Sequence, residues 1–77
     1  MADQTLVGLL GSVVREVRGG RMPGEVRVVQ AGMPIMLMAF SDQELPVATR
    51  VRVVNSRGSR QVDVEPWPRS ELHLQEG

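Results

Sequence analysis

The stretch Thr49-Arg50-Val51-Arg52-Val53-Val54-Asn55, followed after a short break by Arg60-Gln61-Val62-Asp63-Val64-Glu65, decides the fold. Val51 and Val53 fall on one side of an extended chain, with Arg50 and Arg52 on the other. Val62 and Val64 likewise oppose Gln61, Asp63 and Glu65. Period-two alternation of this kind is the pattern of a sheet with one dry and one wet face. Asn55-Ser56-Arg57-Gly58-Ser59 lies between the two runs and reads as a glycine-containing hairpin loop.

Two further strands precede them, Ser12 to Arg18 and Glu25 to Gln30, both rich in the β-branched valine that suits a pleated, half-buried surface. Met33 to Phe40 is a continuous apolar run of strand length and reads as a central strand, buried on both sides for part of its course. On that reading Met36 fills the core, and any two of Met33, Met36 and Met38 that face outward form an apolar patch open to a partner. The connections carry turn chemistry. Gly19 to Gly24 contains Pro23-Gly24, Ala31-Gly32 suits a hairpin with positive φ at Gly32, and Ser41 to Pro46 is a loop or a single helical turn. Gly8 and Gly11 interrupt the first apolar stretch, where glycine permits a sharp bend or a close approach of backbones. Five short strands without helical periodicity predict an all-β, small five-stranded closed barrel, which leaves no sheet edge exposed.

The domain is expected to span residues 1–66, because Pro66-Trp67-Pro68 stops the last strand; residues 67–77 then form a flexible polar C-terminal tail. Trp67, held between two prolines, is expected to cap the open end of the core, or else to anchor a partner or sit at a membrane interface.

Composition narrows the function. The 77 residues make one domain with a thin core, of stability on the order of a few kcal/mol. There is no cysteine, which removes disulfides, thiol nucleophiles and thiolate metal sites together. The formal net charge is zero and every basic residue is arginine, so a carrier domain that needs a lysine to modify is excluded. The longest apolar run, Met33 to Phe40, is far short of the roughly 20 residues of a membrane-spanning helix. The start, Met1-Ala2-Asp3-Gln4, lacks the basic residues and apolar core of a signal peptide.

No constellation of residues announces chemistry. The lone His73 lies in the tail, without a positioned partner or a shielded pocket. Ser56 and Ser59 read as turn residues, and the other serines have no neighbouring base. Asp42 and Glu44 read as turn and capping residues, not as cation ligands. Gly19-Gly20 and Gly58 precede no helix, so they are turn glycines and not a phosphate cradle. No catalytic residue, metal or cofactor is therefore expected.

The order of these features resembles the C-terminal domain of NfeD-like proteins. Leu6-Val7-Gly8-Leu9-Leu10-Gly11-Ser12-Val13-Val14 looks like the family's opening strand, and Met22-Pro23-Gly24-Glu25-Val26-Arg27-Val28 like its proline-glycine turn into the second. Gly32 opens the third strand. Leu45 to Val54 resembles the small loop that leads into a valine-rich fourth strand, and Val62-Asp63-Val64-Glu65-Pro66 the closing strand. Two departures stand out. Val47-Ala48 occupies the loop where the family has a glycine, and the third strand offers Ile35 or Met36 where an aromatic is usual. The resemblance implies an OB-type barrel. It also implies a partner, a stomatin- or flotillin-like membrane scaffold protein or a second copy of the chain, and a cytoplasmic location at the membrane periphery.

The expected function is a non-catalytic interaction and assembly module, with Arg50, Arg52, Met38 and Trp67 as candidate contacts. The alternative is a single-stranded nucleic-acid-binding barrel using Arg50, Arg52, Arg57 and Arg60. Its cationic groove is half present, but Phe40 and Trp67 are the only aromatics available as stacking platforms, and zero net charge weakens attraction to phosphate, so nucleic acid is the lesser expectation.

Overall fold

The structure is a computed structural model that describes residues 4–68. A single turn of 3-10 helix, Gln4–Leu6, leads into five strands: β1 (Leu10–Arg15), β2 (Gly24–Gln30), β3 (Met33–Phe40), β4 (Arg50–Gly58) and β5 (Gln61–Pro66). They close into a barrel in the order β1-β2-β3-β5-β4, the five-stranded OB arrangement. All neighbours are antiparallel except β3 and β5, which run parallel over Met38 to Phe40.

The valines that alternate in sequence meet inside. Val26 and Val28 of β2, Val51 and Val53 of β4, and Val62 and Val64 of β5 are all buried. Each contributes about 1.5–3 kcal/mol of hydrophobic transfer. Leu6 and Leu45 join the same cluster from the 3-10 turn and the β3–β4 loop. Leu45 is held by reciprocal backbone bonds with Val17, at 2.8 and 3.0 Å.

Closure depends on Gly11. This residue pairs with Val28 on one side and Val51 on the other, so β1 is shared by both walls of the barrel. A methyl at Gly11 would overlap the Arg27 carbonyl oxygen and come within 2.6 Å of Val28 Cγ1. The glycine read from the sequence as a site of close approach is therefore one.

Three sequence expectations are corrected. First, β1 ends at Arg15, not Arg18, because a bulge between Val13 and Arg15 leaves Val14 unpaired and breaks the alternation. Second, residues 55–58 are strand and not loop. Bulges at Val54 and Arg57 keep β4 in register with β5 through Gly58, and the reversal is the two-residue turn Ser59-Arg60, at φ 54° and 60°. Both residues lie in the left-handed region, as in a type I′ hairpin. Ala31-Gly32 forms the same kind of turn, at φ 53° and 82°.

Third, β3 is not buried on both sides. Leu37 and Ala39 face the core, whereas Met33, Met36 and Met38 are exposed, the last two by 42% and 39%. A closed barrel has one interior, so each strand has a single dry face. Pro34 is tolerated because β3 has no neighbour on its far side before Met38. Met38 turns its N–H away from β2, to the Arg60 carbonyl at 2.9 Å, and Pro34 has the same parity, so its missing N–H breaks no ladder bond.

Candidate functional site

With the interior filled by aliphatic side chains, what the barrel presents to other molecules is its outer face. Among the described residues no group of three or more His, Cys, Asp or Glu lies close enough to hold a metal ion. The shallow acidic hollow beside β5 is lined by Phe40, Asp42, Asp63 and Glu65. The seam between β3 and the β4–β5 turn, about 340 Å³, is lined by Leu6, Ile35 and Leu37 with Ser56 and Arg60. Ser56, read from the sequence as a turn residue, is instead buried in β4, where its hydroxyl accepts the Gly58 N–H at 3.3 Å. His73 and Ser70 lie outside the described residues.

The arginines sort into distinct roles. Arg57, pushed outward by its bulge, donates from Nη2 to Asp63 Oδ1 at 2.7 Å and from Nε to both carboxylate oxygens at 3.1 and 3.2 Å. Its guanidinium lies 3.9 Å from the Phe40 ring centroid. Asn55 donates to the same carboxylate at 2.9 Å. These hydrogen bonds, that of Arg57 first, outweigh partial burial and hold the Asp63 carboxyl below its ordinary value; Asp63 in turn raises the Arg57 pKa. Arg52 stands opposite Glu65 in the ladder and lies 5.1 Å from the Trp67 ring centroid. Arg15 pairs with Glu25 at 3.6 Å.

Trp67 does not cap the core. It is 37% exposed, sits outside the buried cluster and lies on the outer wall, where its backbone N–H donates to the Arg50 carbonyl at 2.9 Å. Pairing of Val51 with Pro66 carries the chain past the barrel rim along β4, so the indole is directed onto the Arg52 side chain. Both aromatics available for base stacking therefore already carry a guanidinium. The nucleic-acid alternative gains nothing from this arrangement, because Arg57 is paired with Asp63 and each of the two rings already has an arginine stacked against it.

Of the four candidate contacts, Arg50, Arg52 and Trp67 come together on the outer wall of β4. Met38 lies apart, on β3, where it pairs with Glu25. Ser12, unremarked as a binding residue in the sequence, pairs with both Arg27 and Arg50, and so sets those two arginines on either side of β1. Leu10, in turn, is opposite Arg52 and two residues from Ser12. The outward direction of Arg27 was legible from its place between Val26 and Val28. Its placement across β1 from Arg50, 23 positions away in number, required barrel closure.

The profile of the NfeD C-terminal domain matches residues 10–65, the whole barrel except its last residue. The chain belongs to the NfeD C-terminal domain family. Among solved members, the soluble domain of the NfeD protein YuaF from Bacillus subtilis is 32% identical, with a TM-score of 0.64, and the match covers 78% of this chain and 71% of that one. The C-terminal domain of stomatin operon partner protein 1510-C from Pyrococcus horikoshii is 25% identical, with a TM-score of 0.67 over 86% of this chain and 94% of that one. No curated protein sequence matches the chain significantly. No helix among the described residues of this NfeD-type barrel is long and apolar enough to cross a membrane. In the loop before β4, Ala48 adopts φ 80°.

Proposed function

We propose that this NfeD-type barrel is a non-catalytic interaction module that works beside a stomatin- or flotillin-like membrane scaffold protein. The observation that carries the proposal is the contrast between interior and exterior. The core is aliphatic and closed, whereas the outer wall presents large apolar side chains, Leu10, Val29, Met36, Met38 and Trp67, interleaved with arginines. Apolar groups bordered by charge mark surfaces that partners cover. The kinship supports the kind of partner, because the 1510-C domain is described as a stomatin operon partner protein. Arg50, Arg52, Trp67 and Met38 are the contacts on this reading.

Capture experiments test it. The immobilised chain is mixed with the purified stomatin-like protein of its own genome, and the chain alone is run in sedimentation velocity. Stable capture, or a defined homo-oligomer, is expected. Absence of capture together with a strictly monomeric sedimentation profile refutes the proposal.

A further inference from the structure

We propose that the groove over β1, between Arg27 and Arg50, is a docking site for an extended acidic-apolar segment of a partner protein, a carboxylate lodging between the two guanidinium groups above Ser12. The proposal deepens the interaction-module reading and rests on it. The groove encloses about 430 Å³, and its lining combines Arg27 and Arg50 with Leu10, Val29, Gly11 and Ser12.

Charge complementarity selects the occupant. Arg15, Arg52 and Arg57 are engaged by Glu25, Trp67 and Asp63 respectively. Among the described residues Arg27 and Arg50 have neither an acidic partner nor a ring contact, and both are exposed. Ser12 pairs with both, and with two strand spacings between them their backbones stand roughly 10 Å apart, a gap that two guanidinium groups span around a single carboxylate. The Ser12 hydroxyl lies between them as a further donor. Leu10 and Val29, exposed by 46% and 55%, line the same groove, each two residues along its strand from Ser12 and Arg27 respectively. An extended chain with alternating acidic and apolar residues matches that spacing. The floor has no aromatic, which disfavours a nucleic-acid strand. Two cations flanking one point suit a single inserted carboxylate better than a planar bilayer, where each basic group contributes only about 1 kcal/mol.

The test uses the full chain and three probes. They are a fluorescein-labelled peptide alternating glutamate with leucine and valine, vesicles of equimolar phosphatidylcholine and phosphatidylserine, and an oligothymidylate. Binding is followed by anisotropy and by amide shifts in ¹⁵N spectra. The peptide is expected to bind and to shift the amides of Leu10 to Ser12, Arg27, Val29 and Arg50. The R27E/R50E double variant, whose dispersed amide spectrum verifies folding, is expected to weaken binding about tenfold or more. R21E, a charge reversal at an exposed site outside the groove, is expected to leave it unchanged. Absence of peptide binding, equal binding of the glutamine counterpart, or equal loss in R21E overturns the groove. Tighter, Arg27/Arg50-dependent binding of the vesicles or of the oligonucleotide also overturns it, in favour of those ligands. Equal capture of the stomatin-like protein by wild type and R27E/R50E overturns the groove and leaves the interaction-module reading standing. Failure of the wild type to capture that protein, with the peptide still bound at the groove, refutes the scaffold partner alone and supports the groove.

Discussion

Replacing Ala48 by glycine should make the barrel more stable. Ala48 sits at φ 80°, and Thr49 donates its N–H to the Pro46 carbonyl at 3.1 Å across the turn Pro46-Val47-Ala48-Thr49. A single positive φ at the third position is the type II pattern, which favours glycine at that position. Holding an L-residue in the left-handed region costs roughly 1–2 kcal/mol. Glycine's greater freedom in the unfolded chain takes back roughly 0.4–1 kcal/mol. The Ala48 methyl is exposed, so its removal gives up almost no buried area. The centres of those ranges leave about 0.8 kcal/mol in favour of glycine. For a domain of this size that is a rise in Tm of about 3–6 °C. Thermal unfolding by far-UV circular dichroism, with urea unfolding as a second measure, reads the shift directly. Ala48→Val provides the opposite sign, because a branched Cβ is strained further at positive φ. An A48G barrel that melts at or below the wild-type temperature would show that the turn does not store this strain, and the reasoning would fail.

Other perturbations follow from the same geometry. Gly11→Ala forces a methyl against the Arg27 carbonyl and the Val28 side chain, and should destabilise the barrel by about 1–3 kcal/mol in urea titrations. Leu45→Ala removes the plug contributed by the β3–β4 loop. A loss of about 2–5 kcal/mol is expected, enough to unfold much of a domain of such modest stability, and calorimetry would detect it. Asp63 makes stability depend on acid. Because its folded pKa lies below the ordinary value of 3.8, its contribution is complete above that value and is lost as the pH falls through the lower, folded one. Urea midpoints should therefore hold steady from pH 7 to about pH 5 as far as this group is concerned and then decline below about pH 4. Asp63→Asn should flatten part of that decline, and a variant whose acid limb matches the wild type would remove Asp63 from the explanation.

Much of this protein was determined by local chemistry. Alternation at Val51/Val53 and Val62/Val64 stated which face of each strand is dry, and the composition excluded thiol and lysine chemistry outright. Gly11 and Gly32 marked a close approach and a turn, because only a residue without Cβ meets those demands cheaply. Local pattern could not place the bulges at Val14, Val54 and Arg57, since a bulge is a property of two paired strands and leaves no mark in one of them. That is why the fourth strand runs three residues further than its alternation indicated, and why Arg57 reaches Asp63 and Phe40. The methionines of β3 illustrate the same limit. An apolar run has no period to assign a face, and only closure of the wall decided that Met36 and Met38 point outward. The candidate site is the clearest case. Arg27 and Arg50 belong to strands that are not neighbours, and only the sharing of β1 between both walls, made possible where Gly11 lacks a side chain, sets them on either side of Ser12.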